Sequence, residues 1–112
     1  MTQQRVPAPL YVDTFDLCAW LLDRFDGDSG SLNAKICQCA LDLLGAVTLA
    51  LKGRRRDEQL DNADELLITL RTYLRLAETC SQIETSQMLH ALERCDAVGR
   101  QLGGWMKSLG PV

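Results

Sequence analysis

Four stretches of the chain repeat apolar residues every three or four positions, which is the spacing of one face of an α-helix. The pattern predicts helices over about residues 11–26, 31–52, 57–80 and 85–108. No stretch shows the strict alternation of a strand, and no internal repeat is present. The apolar stripes, in chain order, are Leu17, Cys18, Leu21, Leu22, Phe25; Leu32, Ile36, Cys39, Ala40, Leu43, Val47, Leu51; Leu60, Ala63, Leu67, Leu70, Leu74, Ala77; Met88, Leu92, Cys95, Val98, Leu102, Met106.

Turn and capping residues separate the four stretches. The prolines near the start predict an extended lead-in over residues 1–9, followed by one domain over residues 10–109. Gly53 and the Gly110-Pro111 pair are expected to end the second and fourth helices. Three residues suited to cap the later helices are Ser31, Asp57 and Thr85. Because the links are short, the chain is predicted to be all-α, an up-down-up-down antiparallel four-helix bundle.

Helix two is apolar on nearly every side. Between residues 36 and 51 only Gln38, Asp42, Gly45 and Thr48 are not apolar. A small bundle leaves each helix an outer face, so part of this helix is expected to contact another subunit in a ring-like oligomer, with Leu44 and Leu49 as candidate contacts. The alternative is an unusually apolar helix in a monomeric bundle. The uncharged run 43–51 is too short for a membrane span, so no membrane partner is expected.

Positive charge is concentrated locally. The chain holds 12 Lys and Arg against 15 Asp and Glu, a formal net charge of −3, which excludes a globally basic nucleic-acid binder. The cluster Lys52, Arg54, Arg55 and Arg56 has more cations than a helix C-terminus needs. On helix three, Arg71 and Arg75 form a like-charge i,i+4 pair, and Glu78 could pair with Arg75. RNA, an acidic protein surface and an ordinary solvated face all remain open for these residues.

Residues that perform catalysis are scarce. His90, the only histidine, lies away from the apolar stripe of helix four without a triad or a Glu-x-x-His pair beside it. No glycine-rich phosphate loop is present. We therefore expect a protein that is not an enzyme and has no metal, cofactor or small-molecule substrate. The five cysteines replace small apolar residues and are expected to be reduced, and the first nine residues lack an export signal, so a cytoplasmic protein is expected.

A glycine-rich stretch near the end of helix four needs an explanation, because each helical glycine costs about 1 kcal/mol relative to alanine. Gly99 and Gly103 share one face and predict the close approach of a neighbouring backbone, while Gly104 follows directly. Trp105 lies beside the apolar stripe and is expected to fill a groove between helices. The alternative is that the glycines fray the helix end.

Five segments together resemble the accessory variability determinant (Avd) family of diversity-generating retroelements. This family falls within the wider four-helix-bundle family that includes proteins encoded in ribosomal RNA intervening sequences. The segments are 10–11 (Leu-Tyr), 19–24 (Ala-Trp-Leu-Leu-Asp-Arg), 41–44 (Leu-Asp-Leu-Leu), 70–77 (Leu-Arg-Thr-Tyr-Leu-Arg-Leu-Ala) and 98–107 (Val-Gly-Arg-Gln-Leu-Gly-Gly-Trp-Met-Lys). The last segment is the most specific.

The resemblance implies a homopentamer of four-helix bundles that binds the retroelement reverse transcriptase and its template RNA and supports mutagenic copying and retrohoming. By position, it implies roles for Arg71, Arg75, Gly99, Arg100, Gly103, Gly104, Trp105 and Lys107. Since family members tend to be basic and this chain is not, the expected anion-binding surface is a focused patch, drawn from residues 52–56 together with Arg71 and Arg75 and repeated around the oligomer. The alternative is a self-assembling interaction scaffold of the intervening-sequence branch with no nucleic-acid role.

Overall fold

The structure is a computed structural model that describes residues 7–27 and 30–108 and contains four α-helices in those ranges. They are α1 (Pro7–Phe25), α2 (Ser31–Leu51), α3 (Arg56–Thr79) and α4 (Thr85–Ser108). The described residues include no strand, which confirms the all-α class. Each helix packs against its neighbours in the chain, and α1 also packs against α4, so the four helices surround one core.

Long-range contacts fix the relative direction of two helix pairs. Between α1 and α4, Gln101 Nε2 donates to Asp13 Oδ2 at 2.6 Å, and the rings of Trp20 and His90 lie 5.3 Å apart. As the residue number rises on α1, its partner's number falls on α4. Between α3 and α4, Arg56 lies over Trp105 and Arg71 bonds to the Cys95 carbonyl. Here too the residue number rises on one helix as it falls on the other.

Helix α1 begins earlier than the sequence predicts. The expected extended lead-in is wrong from Pro7 onward, while residues 1–6 lie outside the described part of the chain. Proline is tolerated in a first helical turn because the N–H groups there have no partner within the helix. Leu10 is fully buried, so the first turn is held by the core.

The predicted caps of α2 and α3 are also wrong. Gly30 is the N-cap of α2 and Arg55 that of α3, and neither position has a side-chain capping hydrogen bond. Arg55 adopts a left-handed conformation with φ 47°, which places Asp57 inside the first turn, where its negative charge faces the positive helix end.

At the start of α4, Thr85 is helical and its hydroxyl donates to Glu78 Oε2 at 2.7 Å. Gln87 instead caps the residue before the helix, since its Oε1 accepts from the backbone N–H of Glu84 at 2.9 Å. The sequence suggested that Glu78 could pair with Arg75. In the structure Glu78 accepts from Thr85 instead.

Gly53 ends α2 as predicted. Its N–H donates to the Ala50 carbonyl at 3.0 Å and the N–H of Arg54 donates to the Leu49 carbonyl at 2.9 Å, which is the Schellman arrangement. Gly53 has φ 77°, a conformation that glycine adopts without steric cost. Helix α4 is described to Ser108, and the predicted stop at Gly110-Pro111 lies outside the described residues.

The core contains most of the predicted stripes. Leu22, Leu32, Leu51, Met88, Leu92 and Met106 are half-buried around its edge. The periodicity missed several fully or nearly buried residues: Leu10, Ala46, Ala50, Ile83 and Ala91. Ile83 closes the core from the link between α3 and α4.

Helix α2 also has the length and composition of a membrane span. Among the described residues it alone does so, with a mean hydropathy of 1.5 and 39% of that window buried inside the bundle. Core helices of bundles meet the same criteria, and α2 packs against both α1 and α3. Its remaining apolar surface is the feature that needs an explanation.

Replacing Thr14 by valine tests the only fully buried hydroxyl of α1. Its Oγ1 has no hydrogen-bond partner within the described chain, so it loses hydration without compensation. We expect Thr14→Val to raise the free energy of unfolding by about 1 kcal/mol in urea titrations. The control is Thr72→Val, an exposed hydroxyl bonded to Ile68, which should change stability little. A loss of stability in Thr14→Val would show that this hydroxyl is satisfied.

The core thiols predict how stability depends on pH. Burial raises the pKa of both Cys18 and Cys95 from 9.0 to about 12. Below pH 9 both thiols are protonated in either state, so their contribution is complete; above it only the unfolded thiols ionise, and stability falls as pH rises toward 12. At pH 10 the loss should be about 1 kcal/mol per thiol in urea unfolding. Cys18→Ala with Cys95→Ala should flatten this dependence, and an unchanged slope would contradict it.

Candidate nucleic-acid and partner-binding surfaces

Three exposed cations stand on the link between α2 and α3. Lys52, Arg54 and Arg55, here called the basic turn, follow the end of α2 and precede the first residue of α3. Arg55 Nε pairs with Glu58 Oε1 at 3.2 Å, whereas Lys52 and Arg54 form no ion pair with any described residue. Lys52 and Arg54 therefore present charge that no ion pair within the described chain neutralises.

Arg56 differs from its three neighbours because it is built into the bundle. Its Nε donates to the Ala50 carbonyl at 3.1 Å, and its guanidinium lies 5.3 Å from the ring centre of Trp105. Trp105 is 9% exposed and packs with the core, at the position where the sequence predicted a ring between helices. Arg56 thus connects the end of α2, the start of α3 and the end of α4. These contacts hold the basic turn in place on the bundle.

Gly99 makes room for a side chain rather than a backbone. A Cβ at this position would lie 2.9 Å from an Nη atom of Arg71. That guanidinium is directed to the Cys95 carbonyl at 3.5 Å and to Asp96 Oδ1 at 3.3 Å. Arg71 is half-buried, and its Nε has no partner among the described residues. One Nη atom of Arg71 therefore connects α3 to α4, and the side chain is only partly available to a partner.

Within one chain, Gly103 and Gly104 pack against no neighbouring helix. A Cβ on either residue would have no other described atom within 4 Å, apart from its own helix, and both positions are exposed. The helix continues past them to Ser108, so they do not fray the helix end either. Within one chain, these glycines leave a bare strip on the outer surface of α4.

Arg75 lies on an open groove between α3 and α4. The groove has a mixed lining, with Arg71 and Arg75 on one helix and Glu93 and Asp96 on the other. Leu89, which is 57% exposed, and His90 complete this side of α4. The nearby carboxylates make the groove less favourable for phosphate than the basic turn and more suitable for a protein surface.

The structure divides the predicted single basic surface into two parts. Along α3, Arg71 and Arg75 lie about 22 Å and about 28 Å from Arg56. On α4, Lys107 is exposed near the end that carries Trp105, and Arg100 is exposed about two turns earlier. Lys107 therefore lies at the same end of the bundle as the basic turn, whereas Arg71 and Arg75 do not.

An apolar surface covers the outer side of α1 and α2. Of the two predicted subunit contacts on α2, Leu44 is half-buried and Leu49 is 38% exposed. Leu41, 49% exposed, extends this surface. Sequence reasoning missed its α1 part, where Tyr11 and Phe15 are exposed with ring centres 5.8 Å apart. The i,i+4 spacing of these aromatics outside the core stripe was the signal that could have found them.

The single histidine is part of an aromatic contact. His90 lies against Trp20, and the guanidinium of Arg24 lies 5.9 Å from the ring centre of the same Trp20. In residues 7–27 and 30–108, no three His, Cys, Asp or Glu side chains come together as a metal site would require. All five cysteines are free thiols.

Two variants separate the roles of the glycines and the tryptophan. Trp105→Ala should lower the free energy of unfolding by about 3 kcal/mol, because it removes a buried ring and its contact with Arg56. Gly103→Ala should instead raise it by about 0.5 to 1 kcal/mol, since the site is open and alanine favours the helix. Urea unfolding of the two variants and the wild type measures both changes. If Gly103→Ala is less stable than the wild type, another segment of protein packs closely against position 103.

The comparison with protein families identifies a family for this chain. The model of the bAvd family, described as bAvd-like, matches residues 12–109, which is most of the chain and includes all of α2, α3 and α4. No curated protein and no solved structure matches.

Proposed function

The chain belongs to the bAvd-like family, and we propose that it is a non-catalytic accessory protein of a diversity-generating retroelement. In this role it binds the retroelement reverse transcriptase and the template RNA and supports mutagenic cDNA synthesis and retrohoming. The family match over residues 12–109 is the observation that carries the proposal. The protein would act in the cytoplasm.

Self-assembly is the first part of this function. We propose that the four helices alternate up and down and that several copies form a ring, most simply the pentamer that the family resemblance implies. The apolar surface on α1 and α2 supports this assembly, because an exposed surface of this kind is typical of subunit contacts. Closed cyclic symmetry would place the same end of every copy on one rim.

Template RNA is assigned to the basic turn. Lys52 and Arg54 are exposed cations with no ion pair to a described residue, and Lys107 lies at the same end of the bundle. A chain of net charge −3 attracts RNA poorly as a whole, but a focused patch repeated around a ring binds several phosphates at once.

The reverse transcriptase is assigned to the outer surface of α4, next to the groove between α3 and α4. The groove that contains Arg75 combines both signs of charge with an exposed leucine, a composition typical of protein contacts. The exposed Arg100 and the bare strip at Gly103 and Gly104 lie further along the same helix. Arg71 serves this surface indirectly, by holding α3 against α4.

RNA binding should depend on the basic turn. We expect Lys52→Glu with Arg54→Glu to weaken binding of single-stranded RNA carrying the template sequence, measured by fluorescence anisotropy. The dependence of log K on log salt should become shallower by about 0.7 for each phosphate that the variant no longer neutralises. Arg71 is left unchanged because its removal would disturb the packing of α3 on α4. The matched control is Lys35→Glu with Arg94→Glu, which changes charge equally at exposed sites elsewhere.

Two results would contradict this assignment. Equal effects of the two double variants would show that overall charge, and not the basic turn, governs binding. If the wild-type protein, alone or with its reverse transcriptase, shows no salt-dependent RNA binding, the nucleic-acid role is wrong and the interaction scaffold of the intervening-sequence branch is the better description.

A further inference from the structure

We propose that copies of this chain join head to tail, with an aromatic ridge on α1 of one copy seated in a groove between α2 and α3 of the next. This inference rests on the proposed self-assembly and specifies the surfaces that perform it. It places α2 at the inner wall of the ring and leaves α4 outside.

The ridge consists of Tyr11 and Phe15, which are 40% and 47% exposed. Asp13 and Trp20, on the opposite side of α1, contact α4. Since successive helical residues are about 100° apart, Tyr11 and Phe15 must lie toward the α2 side. Val12, 53% exposed, extends the ridge outward.

The ridge lies beside the apolar second half of α2. The Cys18 thiol donates to the Ala40 carbonyl at 3.0 Å, which sets these two residues at one level. The short link after Phe25 reverses the chain, so Phe15 lies at about the level of Leu43 and Tyr11 at about the level of Val47. The ridge therefore lies alongside the second half of α2, at the height where the half-buried Leu44 and the exposed Leu49 lie.

The groove lies on the adjacent face of the bundle. It is lined by Leu41, Asp42, Gly45, Ala46 and Leu49 of α2 and by Gln59, Asn62 and Leu66 of α3. No described cation lines it, and its one carboxylate, Asp42, accepts a hydrogen bond from Gln38 at 2.9 Å. A Cβ at Gly45 would have no described atom outside its own helix within 4 Å, so a ring can approach the α2 backbone there.

The angle between the two faces suits a closed ring rather than a two-fold dimer. The faces α1–α2 and α2–α3 share α2, and adjacent faces of a four-helix arrangement point about 90° apart. Ring closure requires about 90° between contact faces for four copies and about 108° for five. A two-fold dimer would cover one face twice and leave the other open. A ring covers both, and with them the apolar outer side of α2.

Disulfide trapping tests the pairing. The background variant carries Cys37→Ser and Cys80→Ser, because these are the two cysteines that are not buried. Phe15→Cys and Leu49→Cys are then introduced in separate chains. After the two proteins are unfolded, mixed, refolded and oxidised, we expect a cross-linked dimer on non-reducing gels from the mixture and at least tenfold less from either protein alone.

The double variant Phe15→Cys with Leu49→Cys in one chain should give a ladder whose number of bands counts the copies in the ring. The matched control pair is Leu76→Cys and Leu89→Cys, exposed leucines on α3 and α4 that should not cross-link. A dimer from Phe15→Cys alone would show that like faces meet, and it would overturn the proposal. So would an assembled mixture without cross-links. A monomeric wild-type protein would instead overturn the proposed assembly itself.

Discussion

Burial of α2 is the constraint on which the rest of the structure depends. Its inner side, with Ile36, Leu43 and Val47, is fully enclosed by the bundle. Its outer side has no band of charged residues to hydrate it, and Leu41 and Leu49 remain exposed. A monomeric four-helix arrangement can cover only the inner side of such a helix. The proposed subunit contacts follow from the need to cover the outer side.

The same constraint separates the surfaces by chemistry. The α1–α2 and α2–α3 faces expose apolar side chains beside a few polar ones, while cations are concentrated at the basic turn. The outer side of α4 carries mixed charge and bare glycine surface. The proposed role, in which the protein would assemble and also contact RNA and a polymerase, is consistent with such separated surfaces, because one surface cannot hold three partners simultaneously.

The sequence predicted the helices well because hydrophobic periodicity reports burial directly. It failed at the helix starts, where a few backbone conformations decide the result. Proline at position 7 looked like a helix breaker, yet burial of Leu10 makes it a helix start. Asp57 looked like a cap, yet the N-cap of α3 is Arg55, two residues earlier and in a left-handed conformation. The residue at which a helix begins depends on how the adjoining helices pack, and the local sequence does not contain that information.

The candidate sites were predictable as a set of residues but not as a set of roles. Spacing places Arg71 and Arg75 on one side of α3, but only the fold shows that Arg71 is held by Cys95 and Asp96 while Arg75 is exposed. Likewise, Gly99 and Gly103 share a face of α4, but only Gly99 has a neighbour. The sequence specifies which residues are adjacent on a helix, and the tertiary structure specifies what lies opposite them.

The mass of the protein in solution tests the central claim most directly. Light scattering at micromolar concentration should give a multiple of the 12.5 kDa chain, five on the family resemblance. Because the contact is apolar, that mass should persist at about 1 M salt, where the Debye length is only about 3 Å. A single-chain mass under these conditions would contradict the account, since the outer side of α2 would then be stable in water.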